Sequence, residues 1–136
     1  ISTQFIIRHN RLHTIHSMRS SDAWLGYPYD IFNFSMISAW LCIWLRQQGM
    51  KELQLGSFVL TAGSQHIYER NFQGAFNVLE SSKTNFQYEG FEPSEFQEPE
   101  ELIEHLELLR DKKFTQIKKS FLKELQSYYD TRTTEA

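Results

Sequence analysis

The spacing of apolar positions changes period several times along the chain, and each change marks an element. Residues 4–9, Gln4-Phe5-Ile6-Ile7-Arg8-His9, form a short apolar run of strand type. Residues 11–19 then alternate. Leu12, Thr14, His16 and Met18 point one way, and Arg11, His13, Ile15, Ser17 and Arg19 point the other. Asn10 stands between the runs and tolerates positive φ, which predicts a β-hairpin with a tight turn. From Asp30 to about Gln48 the period becomes helical. Ile31, Phe32, Phe34, Met36, Ile37, Ala39, Trp40, Leu41, Ile43, Trp44 and Leu45 leave almost no polar face, which predicts a helix buried on all sides. Asp30 suits its N-cap and Gly49 its stop. The apolar run is about 15 residues, broken by Asn33, Ser35 and Ser38; a bilayer needs ~20, so this is a core helix and no membrane partner is expected.

Residues 55–62 predict another strand, Gly63-Ser64-Gln65 a turn, and residues 69–81 a helix. Residues 82–97 are polar and aromatic without a period and read as an extended connector. From Pro99 a helical pattern begins, with Leu102, Leu106 and Leu109 in one stripe. Phe114, Ile117, Phe121 and Leu125 continue it after a small shift. Pro99 suits the first helical position, and Glu100 and Glu101 suit the positive end of the helix dipole. Glutamates early and lysines later in this segment fit a solvated face. The expected organisation is a core over 1–81, a connector over 82–98, an amphipathic helical extension over 99–130 and a frayed tail over 131–136. The fold class is α+β.

Composition narrows the function. A chain of 136 residues is one domain at most, and 40% hydrophobic with 15% aromatic residues is enough for a packed core. A net charge of -3 gives no basic excess for nucleic acid as a generic polyanion. A local phosphate site needs only one or two arginines. The single cysteine, Cys42, excludes an intramolecular disulfide and a cysteine-based zinc site, and fits a reducing, cytoplasmic compartment. The sequence begins at Ile1 without a signal-peptide pattern, so a processed product or a fragment of a longer polypeptide is expected.

The chemistry concentrates in Met18-Arg19-Ser20-Ser21-Asp22-Ala23-Trp24-Leu25-Gly26-Tyr27-Pro28-Tyr29-Asp30-Ile31. Arg19 and Ser20 offer a guanidinium fork and a hydroxyl to one phosphate; an isolated pair of this kind is usually an ordinary surface pair. Gly26 allows close approach of a ligand or of backbone, or is a simple turn glycine. Asp30 serves as a helix cap, as an acceptor for an exocyclic amine, or as both. His66 and Tyr68 lie two apart, so on an extended segment their polar tips share a face. His13 and His16 fall on opposite faces of their strand, which rejects them as a metal pair, and no metal site is expected. The sequon Asn33-Phe34-Ser35 falls inside the buried helix and is discounted. Cys42, among Leu41, Ile43 and Trp44, reads as a buried thiol of raised pKa and not as a nucleophile.

Gln4-Phe5, Met18-Arg19-Ser20-Ser21-Asp22, Leu25-Gly26-x-Pro28-x-Asp30-Ile31 and Gly63-Ser64-Gln65-His66-Ile67-Tyr68, taken in this order and spacing, resemble the carboxy-terminal half of the thymidylate synthases and their relatives, the pyrimidine nucleotide hydroxymethylases. The resemblance covers residues from about 4 to about 80 and implies a partial thymidylate synthase-like fold. It implies that Arg19 and Ser20 hold the 5′-phosphate of a pyrimidine nucleoside monophosphate. Asp30, beside Gly26, would read the base, His66 and Tyr68 the sugar, and Asp22 would face the folate and catalytic side. The implied cofactor is 5,10-methylenetetrahydrofolate.

Synthases carry Asn where Asp30 stands, and cytidylate hydroxymethylases carry Asp. A carboxylate suits the N4 amine of cytosine, so a cytosine nucleotide is expected over a uracil nucleotide. Met18 and Ser64 also resemble the hydroxymethylase branch, whereas Pro28-Tyr29 is similar to the Pro-Phe of the synthases. The family's nucleophilic cysteine falls just before the Gln-Phe pair, hence upstream of Ile1. This chain alone is therefore expected to be inactive, with its amino-terminal half, a homodimer partner, or both as partners. Phe5, Ile7, Leu12, Thr14 and the Phe58–Leu60 strand would supply part of the dimer sheet. The alternative is a non-catalytic binding or assembly protein on the same scaffold.

Overall fold

The computed structural model describes residues 1–81, 91–117 and 119. In chain order the elements are β1 (Ser2–Arg8), β2 (Arg11–Met18), β3 (Ser21–Asp22), α1 (Gly26–Gln47), β4 (Gln54–Ala62), β5 (Gln65–His66), α2 (Phe72–Ser81) and α3 (Pro99–Arg110). Short 3-10 turns occupy Glu69–Asn71, Pro93–Glu95 and Phe114–Gln116. The fold is α+β, as expected. The chain divides into two compact units: Ile1–Ser38 with Leu55–Tyr88, and Ala39–Gln54 with Glu89–Ala136.

In the first unit β1 and β2 form the expected hairpin, with Ser2 opposite Ser17 and Arg8 opposite Arg11. Its two-residue loop places both His9 (φ 48°) and Asn10 (φ 56°) in the left-handed region, the signature of a type I′ turn. Strand β4 extends the sheet to the order β1-β2-β4. The alternation along β2 is realised: Leu12, Thr14, His16 and Met18 are buried, and the opposite parity is not. The buried side meets the first half of α1. Ser38 Oγ donates to its own helix at Phe34 O (2.8 Å) and lies 3.2 Å from Thr14 Oγ1. The His16 ring stacks on Phe34 with centroids 4.4 Å apart and lies 5.1 Å from Phe58.

Leu12 and Thr14 are therefore committed to the helix side of the sheet. The open side belongs to the other parity: Gln4 opposite Ile15, Ile6 opposite His13, and Val59, which is 41% exposed. Thr61 Oγ1 meets Ser17 Oγ on that side at 3.1 Å, and the Ser57 N–H donates to His13 Nδ1 at 3.1 Å. His13 and His16 thus lie on opposite faces, as their spacing requires.

Two expectations for α1 fail. The helix begins at Gly26, so Asp30 is an interior residue and not the N-cap. Pro28 fits within the first turn, where a missing N–H costs nothing, and the chain is turned earlier by Asp22, whose Oδ1 accepts the Trp24 N–H at 2.9 Å. Nor is the helix buried all round. Met36, Ala39 and Ile43 are buried, whereas Tyr29, Ile37, Trp40 and Trp44 form an exposed stripe at helical spacing. Gly49 does terminate it: at φ 113° it allows the Met50 N–H to reach back to Leu45 O (3.1 Å).

The second unit is built around Ala39, Cys42, Ile43, Leu53, Phe96, Leu102 and Ile117, all buried. The carbonyl of Leu53 accepts from Arg46 Nη1 at 2.8 Å, with Cys42 Sγ at 3.8 Å. Burial pushes the Cys42 thiol up to about 11, against the opposing pull of the Arg46 charge. Helix α3 starts at Pro99 with Glu100 and Glu101 in its first turn, as expected, but stops at Arg110. Lys112 takes φ 57°, and the Lys113 N–H closes on Leu108 O at 2.9 Å. The helical extension expected over 99–130 is thus interrupted; residue 118 and its part beyond 119 lie outside the described residues, as does most of the connector expected over 82–98. Among the described residues no helix is long and apolar enough to cross a membrane.

Candidate nucleotide site

All seven residues singled out in the sequence belong to the first unit. Strand β2 ends at Met18, whose carbonyl accepts the Gly63 N–H at 3.0 Å. A Cβ on Gly63 would stand 3.1 Å from the Arg19 carbonyl oxygen, so glycine is what lets the two backbones approach. Beyond that contact β3 and β5 pair in parallel, Ser21 opposite Gln65 and Asp22 opposite His66. Ser21 N donates to Ser64 O at 3.0 Å and Ala23 N to His66 O at 2.8 Å. This short ladder joins the two motifs, more than 40 residues apart in sequence, and places Asp22 beside His66.

The next turn carries the chain into α1 and forms a notch at Gly26. A Cβ there would lie 3.4 Å from Asp22 Cβ, 3.8 Å from Ser21 Oγ and 3.9 Å from Asp30 Oδ2. Asp22 and Asp30 thus approach one small space from the two ends of the turn. Starting the helix at Gly26 puts Asp30 one turn into α1, on the same face as that glycine.

Arg19 and Ser20, on the stretch between β2 and β3, are exposed. His66 and Tyr68 meet edge to face with centroids 5.1 Å apart, and the Arg70 guanidinium lies over the Tyr68 ring at 5.0 Å. The shared face expected of these two residues is therefore present. Among the described residues no group of three metal-ligating side chains is found.

Sequence reasoning gave no role to two features of this region. The Ser21 hydroxyl is buried with no hydrogen-bond partner among the described residues, next to the Gly26 notch. Its place in the motif was visible, but its inward orientation follows from the β3–β5 pairing. The second is Gly74 in α2, where a Cβ would stand 2.9 Å from Trp24 Cζ2, so glycine admits that ring.

A parallel two-strand junction, a glycine notch flanked by Asp22 and Asp30, and an adjacent His–Tyr pair come together at this strand-to-helix handover. The thymidylate synthase family profile matches residues 1–130, and the chain belongs to that family. The match extends well past the motif-bearing region. Thymidylate synthase of Francisella philomiragia is 33% identical over 70 residues, which is 52% of this chain and 23% of that protein. Thymidylate synthase of Bacillus atrophaeus is 25% identical over 93 residues, or 68% of this chain and 35% of the relative. Thymidylate synthase 1 of Bacillus subtilis shows the same 25% over 93 residues, covering 29% of its own length. The chain thus spans between 23% and 35% of the curated relatives it matches.

Proposed function

We propose that this chain forms the nucleotide-binding part of a folate-dependent pyrimidine nucleotide C5 hydroxymethylase or methylase that favours a cytosine nucleotide over a uracil nucleotide. The observation that carries the reading is the convergence of Asp22, Ser21 and Asp30 on Gly26, next to the His66–Tyr68 pair. Arg19 and Ser20 bind the 5′-phosphate, as a fork and a hydroxyl. Asp30 accepts from the N4 amine of the base, for which a carboxylate is the matching acceptor. The polar tips of His66 and Tyr68 hold the sugar hydroxyl.

The residues near Asp22 fit a reduced folate. One Asp22 oxygen is engaged by the Trp24 N–H, the other can accept from an N–H of a flat heterocycle, and Leu25, half exposed, offers it an apolar surface. When bound, methylenetetrahydrofolate supplies the one-carbon unit. Activation of the pyrimidine at C5 requires a thiolate added at C6. Cys42 does not serve, because it is fully buried and its thiol is held at about 11. The thiolate therefore comes from outside these residues, from the amino-terminal half of the fold or a second chain.

Two exposed apolar surfaces support such a partner: the α1 stripe of Tyr29, Ile37, Trp40 and Trp44, and the open sheet face with Val59. The test is co-expression with an amino-terminal family segment and an assay of tritium release from C5-labelled dCMP and dUMP. Release is expected, with dCMP preferred, and Asp30→Asn shifts the preference toward dUMP. A folded complex that turns over neither substrate refutes the enzymatic reading. The buried Cys42 favours one second reading, a non-catalytic binding or assembly protein. Nucleotide binding by that complex without any release would establish it.

A further inference from the structure

The second unit holds a cavity of about 340 Å³ lined by Arg46, Gln47, Lys51, Ser94, Phe96 and Gln97. None of the candidate nucleotide residues lines it. Three cations elsewhere in the unit are held in ion pairs. Arg110 pairs with Glu107 and Asp111, Lys113 with Asp111, and Lys119 with Glu101. Arg46 and Lys51 pair with no carboxylate among the described residues, although Glu98, Glu100 and Glu101 follow directly on Gln97 in sequence. Two cations without an ion pair on one concavity make a favourable place for negative charge.

The walls are fixed. Arg46 Nη1 is tied to Leu53 O at 2.8 Å, which orients the guanidinium and leaves its other N–H groups to donate. Phe96 is 5% exposed, stacked on Phe91 at 5.3 Å and covered by the Lys119 ammonium at 4.9 Å. Glu101 is occupied, bound by Lys119 at 2.7 Å and by the Gln97 N–H at 3.0 Å. The remaining lining groups, Ser94 and the two carboxamides, can each donate a hydrogen bond. At this size the cavity suits a small molecule, at the lower end of ligand pockets.

We propose that this cavity is a second binding site, taking the oxyanion of a small ligand, phosphate or carboxylate, between Arg46 and Lys51. The probes are inorganic phosphate and succinate, each titrated into the isotopically labelled full chain at constant ionic strength and followed by amide chemical shifts. Saturable shifts are expected at Gln47, Lys51, Ser94 and Gln97, and the tighter of the two anions names the group. Lys51 is exposed, so its variants keep the fold. Lys51→Gln is expected to weaken binding about tenfold, the loss of one charge-assisted hydrogen bond, and Lys51→Glu to abolish it. Arg19→Ala is expected to leave these shifts unchanged, which separates this site from the proposed nucleotide site. Shifts that never saturate, or that persist in Lys51→Glu, overturn the proposal.

Discussion

His16 offers a test of the packing that needs no ligand. Its ring is fully buried, stacked on Phe34 at 4.4 Å and flanked by Phe58 and Phe5. Nδ1 is hydrogen-bonded to Thr3 Oγ1 at 3.0 Å, and Nε2 has no partner among the described residues. None of these four neighbours titrates, so none offsets a charge on the imidazole. Burial accordingly lowers the His16 pKa from 6.5.

The sign follows from linkage. Below pH 6.5 the unfolded chain takes up a proton that the folded chain refuses, so stability falls with pH until the folded pKa is reached. The steepest slope available to one group is about 1.4 kcal/mol per pH unit. His16→Phe keeps the stack and removes both the proton site and the unpartnered nitrogen, while losing the Thr3 hydrogen bond. The lost bond is worth ~1 kcal/mol and the unpartnered atom costs about 1–3 kcal/mol, so the variant is expected between equal to the parent and about 2 kcal/mol more stable at pH 7.5. Between pH 7.5 and 5.5 the parent is expected to lose up to about 1.4 kcal/mol more than the variant. Urea unfolding at the two pH values measures this directly, and the other histidines cancel in the difference. Equal losses in the two proteins would refute the account of His16.

Three further outcomes are expected. Gly63→Ala forces a methyl to 3.1 Å from the Arg19 carbonyl, so it should cost about 1–3 kcal/mol in urea unfolding; a neutral result would mean that the β2–β5 approach is looser than described. Lys112→Gly relieves a left-handed residue at the end of α3 and should raise thermal stability by a few tenths to about 1 kcal/mol, whereas a fall in the melting temperature would contradict the cap geometry. Cys42, buried with its thiol near 11, should resist alkylation at pH 8 in the folded protein and react at the normal rate in urea; rapid labelling without denaturant would show that the second unit opens.

Much of this protein is determined by sequence at short range. The hairpin was legible because alternation over residues 11–19 and a turn-forming Asn10 are local steric facts, and the buried parity of β2 follows directly from them. The stop of α1 was legible in Gly49 for the same reason. The family was legible because four short motifs keep their order and spacing. The start of α1 was not, because Asp30 is a good cap in isolation, while Asp22, eight residues earlier, had already turned the chain. The buried side of α1 was not legible either: with apolar residues all round, only the sheet it packs on selects a face. The stop of α3 at Lys112 carries no glycine to announce it. The meeting of the candidate site's two segments was decided by tertiary structure. Residues 19–22 and 63–66 each carry suitable chemistry, but a parallel pairing between segments so far apart leaves no periodic trace in either one. It forms because Gly63 lets the backbones approach and β3 and β5 then satisfy each other's hydrogen bonds.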